Sequence, residues 1–249
     1  MSAIHRVLIL GGTTEASVLV RRLAEQYPNL DAILSFAGRT AAPQHTSGNV
    51  RIGGFGGAEG LVRYLRRENI DAIIDATHPF AARMRWNAAE ACAAVNIPRL
   101  RLERGPWRRH AGDIWHEVPD IDQASAALAW SQRIFLTIGR QELAAFEGYT
   151  AKWFLIRAIE PPDLDPPLPG EILLARGPFT VEGEIDLLTT RRIDTIVSKN
   201  SGGNATEAKL IAARQLGIKV VMVERPHNPP GPLVLSVADA LDWLRQFAS

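Results

Sequence analysis

The apolar run Val7–Leu10 meets Gly11 and Gly12, and then a segment reaching Gln26 in which Val18, Leu19 and Leu23 share one helical face. Arg21, Arg22 and Glu25 mark the opposite face. A buried strand, a tight glycine turn and an amphipathic helix, in that order, restrict the chain to the α/β class. The first N–H groups of such a helix, and the positive end of its dipole, face the space above the strand and suit a phosphate there. Gly11-Gly12-Thr13-Thr14-Glu15-Ala16 is a variant of the dinucleotide fingerprint, with Thr13 in place of the second glycine and Ala16 in place of the third. Gly11, Gly12, Thr13, Thr14 and Glu15 are therefore candidate cofactor-binding residues.

The totals exclude several classes. A chain of 249 residues holds one large α/β domain or two small ones. A net charge of +1 gives no bias toward nucleic acid or a membrane surface. The single cysteine, Cys92, rules out an internal disulfide framework and fits a reducing compartment. No apolar run approaches membrane-spanning length, and the N-terminal one is too short for a signal peptide, so the expected location is the cytoplasm.

Leu30–Phe36 reads as the second strand. In an NAD-binding unit a carboxylate at its end would hold the ribose hydroxyls. Here that end offers Ser35, Arg39 and Thr40, a set suited to a 2′-phosphate, which points to NADP and makes Arg39 and Thr40 cofactor candidates. The glycine loop around Gly54 and Phe55 lets backbone approach a ligand, and Phe55 could flank an adenine. Asp71–Asp75 is a buried strand leading into Ala76-Thr77-His78-Pro79-Phe80-Ala81. Thr77 and His78 thus stand at a strand's C-terminal end, where open α/β sheets bind ligands, and both are cofactor-binding candidates placed where the nicotinamide half would reach. Arg83 and Arg85 fall in the first turns of the helix that follows, where the dipole disfavours cations, so an anionic partner is expected there.

Past Gly105-Pro106-Trp107 the alternation resumes, with strands at Ile114–Val118, Arg133–Ile138, Trp153–Ile159, Asp194–Val197 and Ile218–Val223, and helices at Ile121–Trp130, Val181–Thr189 and Val237–Phe247. Gly139-Arg140-Gln141-Glu142-Leu143 is a second glycine turn into a helix. Ser198-Lys199-Asn200-Ser201-Gly202-Gly203-Asn204 concentrates donors and glycines before another helix, with Lys199 as a point charge and Asn204 with Glu207 as a capping box. The expected fold is α/β: two Rossmann-like doubly wound lobes with mainly parallel sheets and a cleft between them. Residues 1–105 form an NADP-binding domain in this division, and 106–249 a second, substrate-facing one.

Gly11–Ala16, Asp75–Ala81 and Val197–Gly203, with Thr137–Leu143 and Ala175–Phe179, closely resemble the precorrin-6A reductase family, and the matches run from the first strand to Pro226. The resemblance implies NADPH-dependent reduction of a ring double bond in precorrin-6A or its cobalt form, a tetrapyrrole bearing many carboxylates, within cobalamin biosynthesis. It implies substrate contacts from Arg83, Arg140, Ser198, Lys199, Asn200, Ser201 and Gly202, with Arg85 also suited to carboxylates. His78 and Lys199 are the candidate catalytic residues, and His78 is the better-tuned proton donor because imidazole titrates near neutrality. No metal is implied in the protein. Tyr27, Tyr64 and Tyr149 are followed four positions on by Asp31, Glu68 and Trp153, so the Tyr-x-x-x-Lys pair of short-chain dehydrogenases is missing. Two rival readings share the pocket: an NADP-dependent reductase of another anionic substrate, and an NADP-binding sensor without turnover.

Overall fold

A computed structural model describes residues 4–37, 49–162 and 167–247. The chain divides into two compact units, one made of Met1–Arg104 and His227–Ser249 and the other of Gly105–Pro226. The first contains β1 (Arg6–Leu10), α1 (Thr14–Gln26), β2 (Asp31–Phe36), β3 (Asn49–Ile52), α2 (Gly57–Arg67), β4 (Ala72–Asp75), α3 (Ala82–Val95) and β5 (Arg99–Leu102). The second contains β6 (Ile114–Val118), α4 (Ile121–Ala126), β7 (Arg133–Thr137), β8 (Trp153–Ala158), β9 (Gly170–Leu174), α5 (Val181–Thr190), β10 (Thr195–Lys199), α6 (Ala208–Leu216) and β11 (Lys219–Val223). The chain then returns to the first unit with β12 (Leu233–Val234) and α7 (Val237–Arg245).

Among the described residues there are two six-stranded sheets, ordered β12-β5-β4-β1-β2-β3 and β6-β11-β10-β7-β8-β9, and every strand pair is parallel. The first follows the Rossmann order 3-2-1-4-5-6, and the second has the same layout except that its sixth place is filled by its earliest strand. The sixth strands are exchanged: β6, which follows β5 in sequence, completes the second sheet, and β12, which follows β11, completes the first. The segment from His227 onward, expected in the second domain, is therefore an edge strand and helix of the first. Its hold is hydrophobic, since Ala240, Leu241 and Leu244 are buried in one core with Leu19, Leu23 and Leu102.

Helices on both faces explain why the inner strands are apolar without alternation. In β1, Val7 and Ile9 join the core beneath α1 and α7, whereas Leu8 and Leu10 join the one with Leu61, Leu65, Ala88 and Ala91 of α2 and α3. Local choices differ from the sequence reading at three places. Arg140–Phe146 is a 3-10 helix rather than an α-helix. The helix expected to reach Trp130 is α only to Ala126. Asn204 opens a 3-10 turn, and α6 begins at Ala208 with Glu207 at its N-cap and no side-chain cap, so the expected capping box is not formed.

Candidate active site

In the first unit the connection after β1 runs to β2 on one side, and that after β4 runs to β5 on the other. Ligands of open α/β sheets bind at such a switch point. Here the two loops are tied together by one residue. Thr13 caps α1, its Oγ1 accepting the Ala16 N–H at 3.2 Å, and the same hydroxyl donates to the Ala76 carbonyl at 2.8 Å. Gly12 holds φ +119, which L side chains rarely adopt, and Gly11 N–H donates to Ser35 O at 2.9 Å. Thr14 opens the helix and Glu15, in its first turn, pairs with Arg104 at 3.2 Å.

Behind this turn lies a buried polar set. Asp75 is fully buried, and its Oδ1 accepts both the Thr77 N–H at 3.2 Å and the Thr77 hydroxyl at 2.7 Å. Arg85 donates to Thr77 O at 3.2 Å, to Glu103 Oε2 at 2.5 Å and to Asn228 Oδ1 at 2.6 Å. Arg85 has no exposed surface. The anion expected to meet it from outside is instead an internal carboxylate, because its side chain turns inward from α3 and meets Glu103 just past β5. Arg83 is exposed on the same helix. All three polar groups of Thr77 are engaged inward. His78, next along, is half-buried, and its Nδ1 accepts the Phe80 N–H at 3.3 Å, which leaves the proton of the neutral ring on Nε2.

At the ends of β2 and β3, Ser35 and Arg51 are register partners, and Ser35 also pairs with Leu10 of β1. Arg51 lies 3.8 Å above the Phe55 ring and 5.0 Å from that of Tyr64. It donates to Gly53 O, to Gly54 O at 2.8 Å and to Ser35 Oγ at 3.3 Å. Burial lowers the pKa of its guanidinium, with Tyr64 pulling it back up. Gly54 and Phe55 thus gather around a cation the sequence reading did not single out. Arg39 and Thr40 lie outside the described residues.

The second unit has its own switch point, between β7 and β10. Lys199 Nζ lies 2.5 Å from Glu142 Oε1, and Glu142 Oε2 accepts the Gly139 N–H at 2.9 Å. Arg140 pairs with Glu160 at 3.1 Å. The Asn200 amide accepts from Trp107 N–H at 2.8 Å and donates to Trp107 O at 3.2 Å. Arg225 holds the carbonyls of Asn200 at 2.8 Å and Ser201 at 3.1 Å. Ser198 is buried, its hydroxyl directed to Lys199 O at 3.4 Å. Gly202 has φ +66, and a Cβ there would fall 1.9 Å from Gly105 O, so the loop tolerates no other residue at that position without moving.

Sequence reasoning passed over Arg51, Glu142, Asp75 and Glu103. For Asp75 a signal existed: a carboxylate ending an apolar strand is rarely buried without a partner. Among the described residues no group of three or more metal-ligating side chains forms, and no helix is long and apolar enough to cross a membrane.

The family model described as precorrin-6x reductase CbiJ/CobK matches residues 6–245. A precorrin-6A reductase of Rhodococcus erythropolis is 50% identical over 241 residues, covering 96% of this chain and 97% of that protein. One from Rhodobacter capsulatus is 47% identical over 241 residues, covering 96% and 95%. A solved CobK precorrin-6A reductase superimposes with a TM-score of 0.91 at 45% identity, covering all of this chain and 98% of that one. With a family match over nearly its whole length and a shared fold, this chain belongs to the precorrin-6x reductase CbiJ/CobK family.

Proposed function

We propose that the chain uses NADPH to reduce one ring double bond of precorrin-6A, giving precorrin-6B. The observation that carries this is the Thr13–Ala76 bridge, which brings the glycine turn and the His78 loop to one switch point in a family of reductases. The residues present fit a dinucleotide. Gly12 keeps the turn open to backbone approach, and a capped helix N-terminus faces the same place. Gly11, Gly12, Thr13 and Thr14 would hold the pyrophosphate, and Gly54 with Phe55 the adenosine end.

NADPH, when bound, supplies the hydride. The protein's part is position and field. Asp75 and Arg85 hold Thr77, so Thr77 fixes the loop instead of reaching the cofactor with its hydroxyl. His78 is the proposed proton donor, acting at Nε2. In the second unit Lys199 and Arg140 would meet ring carboxylates, while Ser201 and Gly202 are buried and shape the loop that Asn200 braces against Trp107. We further infer a cytoplasmic location, supported by the single reduced and buried Cys92.

The test is direct: purified protein, NADPH and precorrin-6A, with reduced-nicotinamide absorbance followed over time. Loss of absorbance only when both ligands are present supports the reading. NADPH binding without oxidation would replace it with the sensor reading, and oxidation by some other polyacid alone would replace the substrate.

A further inference from the structure

The β2–β3 end of the first sheet holds a cation with no anion of its own among the described residues. Arg51 makes no ion pair among the described residues, although its stem and one face are packed on Phe55 and Tyr64. Carboxylates near these strands are engaged elsewhere: Asp31, at the opposite end of β2, with Arg6, and Glu59 of α2 with Arg63. Three of its hydrogen bonds run to Gly53 O, Gly54 O and Ser35 Oγ, using both Nη1 donors and one of the two on Nη2. The Nε–H and the second Nη2–H have no partner among the described residues. A partly desolvated guanidinium, held by its neighbours and left with two donors, is matched by a phosphate or carboxylate.

Position narrows the anion. Arg51, Ser35 and Leu10 form one row across β3, β2 and β1, directly below the turn that begins at Gly11. Two strand spacings of about 4.8 Å each separate Arg51 from that turn, the scale of an adenosine ribose reaching away from a pyrophosphate. The described residues at this row carry no carboxylate of the sort that would hold the 2′-hydroxyl of NAD.

We propose that Arg51, with its plane set by Phe55 and the Gly53 and Gly54 carbonyls, binds the 2′-phosphate and makes the first unit prefer the phosphorylated dinucleotide. This rests on the nucleotide-binding reading above. A requirement follows for Ser35: with its hydroxyl accepting from Arg51, it orients the guanidinium while staying buried.

Calorimetric titration of the full chain with adenosine 2′,5′-bisphosphate and with AMP separates the possibilities without turnover. The unaltered protein should bind the bisphosphate more tightly. Arg51→Met, which keeps the stem over Phe55, should weaken the bisphosphate roughly 10-fold or more while changing AMP less than about twofold. Arg51→Lys should recover part of the loss, and circular dichroism of both variants checks folding. Equal weakening of both nucleotides would mean that Arg51 only anchors the glycine loop, and would overturn the proposal. So would retention of the preference in Arg51→Met with its loss in Arg39→Ala. Should the unaltered protein bind neither nucleotide, the nucleotide reading itself fails, whereas binding without preference removes only the role of Arg51.

Discussion

Lys199 and Glu142 meet at 2.5 Å across the switch point of the second sheet, and the far oxygen of the same carboxylate caps Gly139. Lys199 is thus a held cation, and Glu142 sets where its charge points. Replacing Lys199 by Met should raise the KM for the tetrapyrrole roughly 10- to 100-fold, the worth of one charge-assisted hydrogen bond. The NADPH Kd should stay within about twofold, because Lys199 belongs to the unit without the Gly11–Thr14 turn. Steady-state kinetics in both substrates, with NADPH binding by fluorescence, checks the separation.

His78→Asn should lower kcat by about 100-fold or more, the usual worth of one positioned proton-transfer group. NADPH affinity should hold, since Thr77 anchors the loop and the Asn side-chain oxygen can still accept the Phe80 N–H that the imidazole takes. Single-turnover oxidation of NADPH beside a binding titration measures both. A matched loss in binding would make His78 a cofactor contact instead.

Thr13→Val removes the helix cap and the bridge to Ala76 together. Loss of such a cap costs about 1 kcal/mol, or roughly 2–4 °C in Tm for a chain of this size. NADPH binding should weaken alongside, and Thr13→Ser should restore both. Thermal melts with and without NADPH give the comparison.

Arg85→Met takes from buried Glu103 one of its two arginine partners, Arg101 remaining at 3.6 Å, and loss of that charged hydrogen bond should cost about 1.5–3 kcal/mol. Adding Glu103→Leu should recover little of that loss, because buried Arg101 then loses its carboxylate as well. Urea unfolding of the two variants tests whether the pair is a brace, as the structure implies, or an anion site.

Burial pushes the Cys92 thiol up to about 12. The folded state therefore keeps its proton where the unfolded chain has released it. The sign is fixed by this: the contribution to stability is whole below the ordinary thiol range and is lost as pH rises toward 12. Iodoacetamide labelling at pH 8 should be far slower in the folded protein than in urea. Stability should also fall less steeply between pH 9 and 11, as chosen for the assay, in Cys92→Ala than in the parent.

Much of this architecture is legible in the sequence because local rules act locally. The Val7–Leu10 run, the glycine turn and the alternation through Val223 all give the parallel α/β units that form. What escaped depends on partners far along the chain. Arg85 read as a cation awaiting an anion because Glu103 and Asn228, which satisfy it, lie 18 and 143 residues away. β12 is two residues long behind a proline-rich stretch, too short for any periodicity. Arg51 stays hidden in the sequence because its setting depends on pairing across the ladder with Ser35, 16 residues earlier.

Because the first sheet takes its outermost strand from the far end of the chain, no single cut yields two self-sufficient halves. A fragment ending near residue 105 would expose the flank of β5, and one starting there would carry a C-terminal helix with nothing to cover. On the ribosome, the portion made first is the last to be finished: its edge closes only when Leu233 and Val234 emerge.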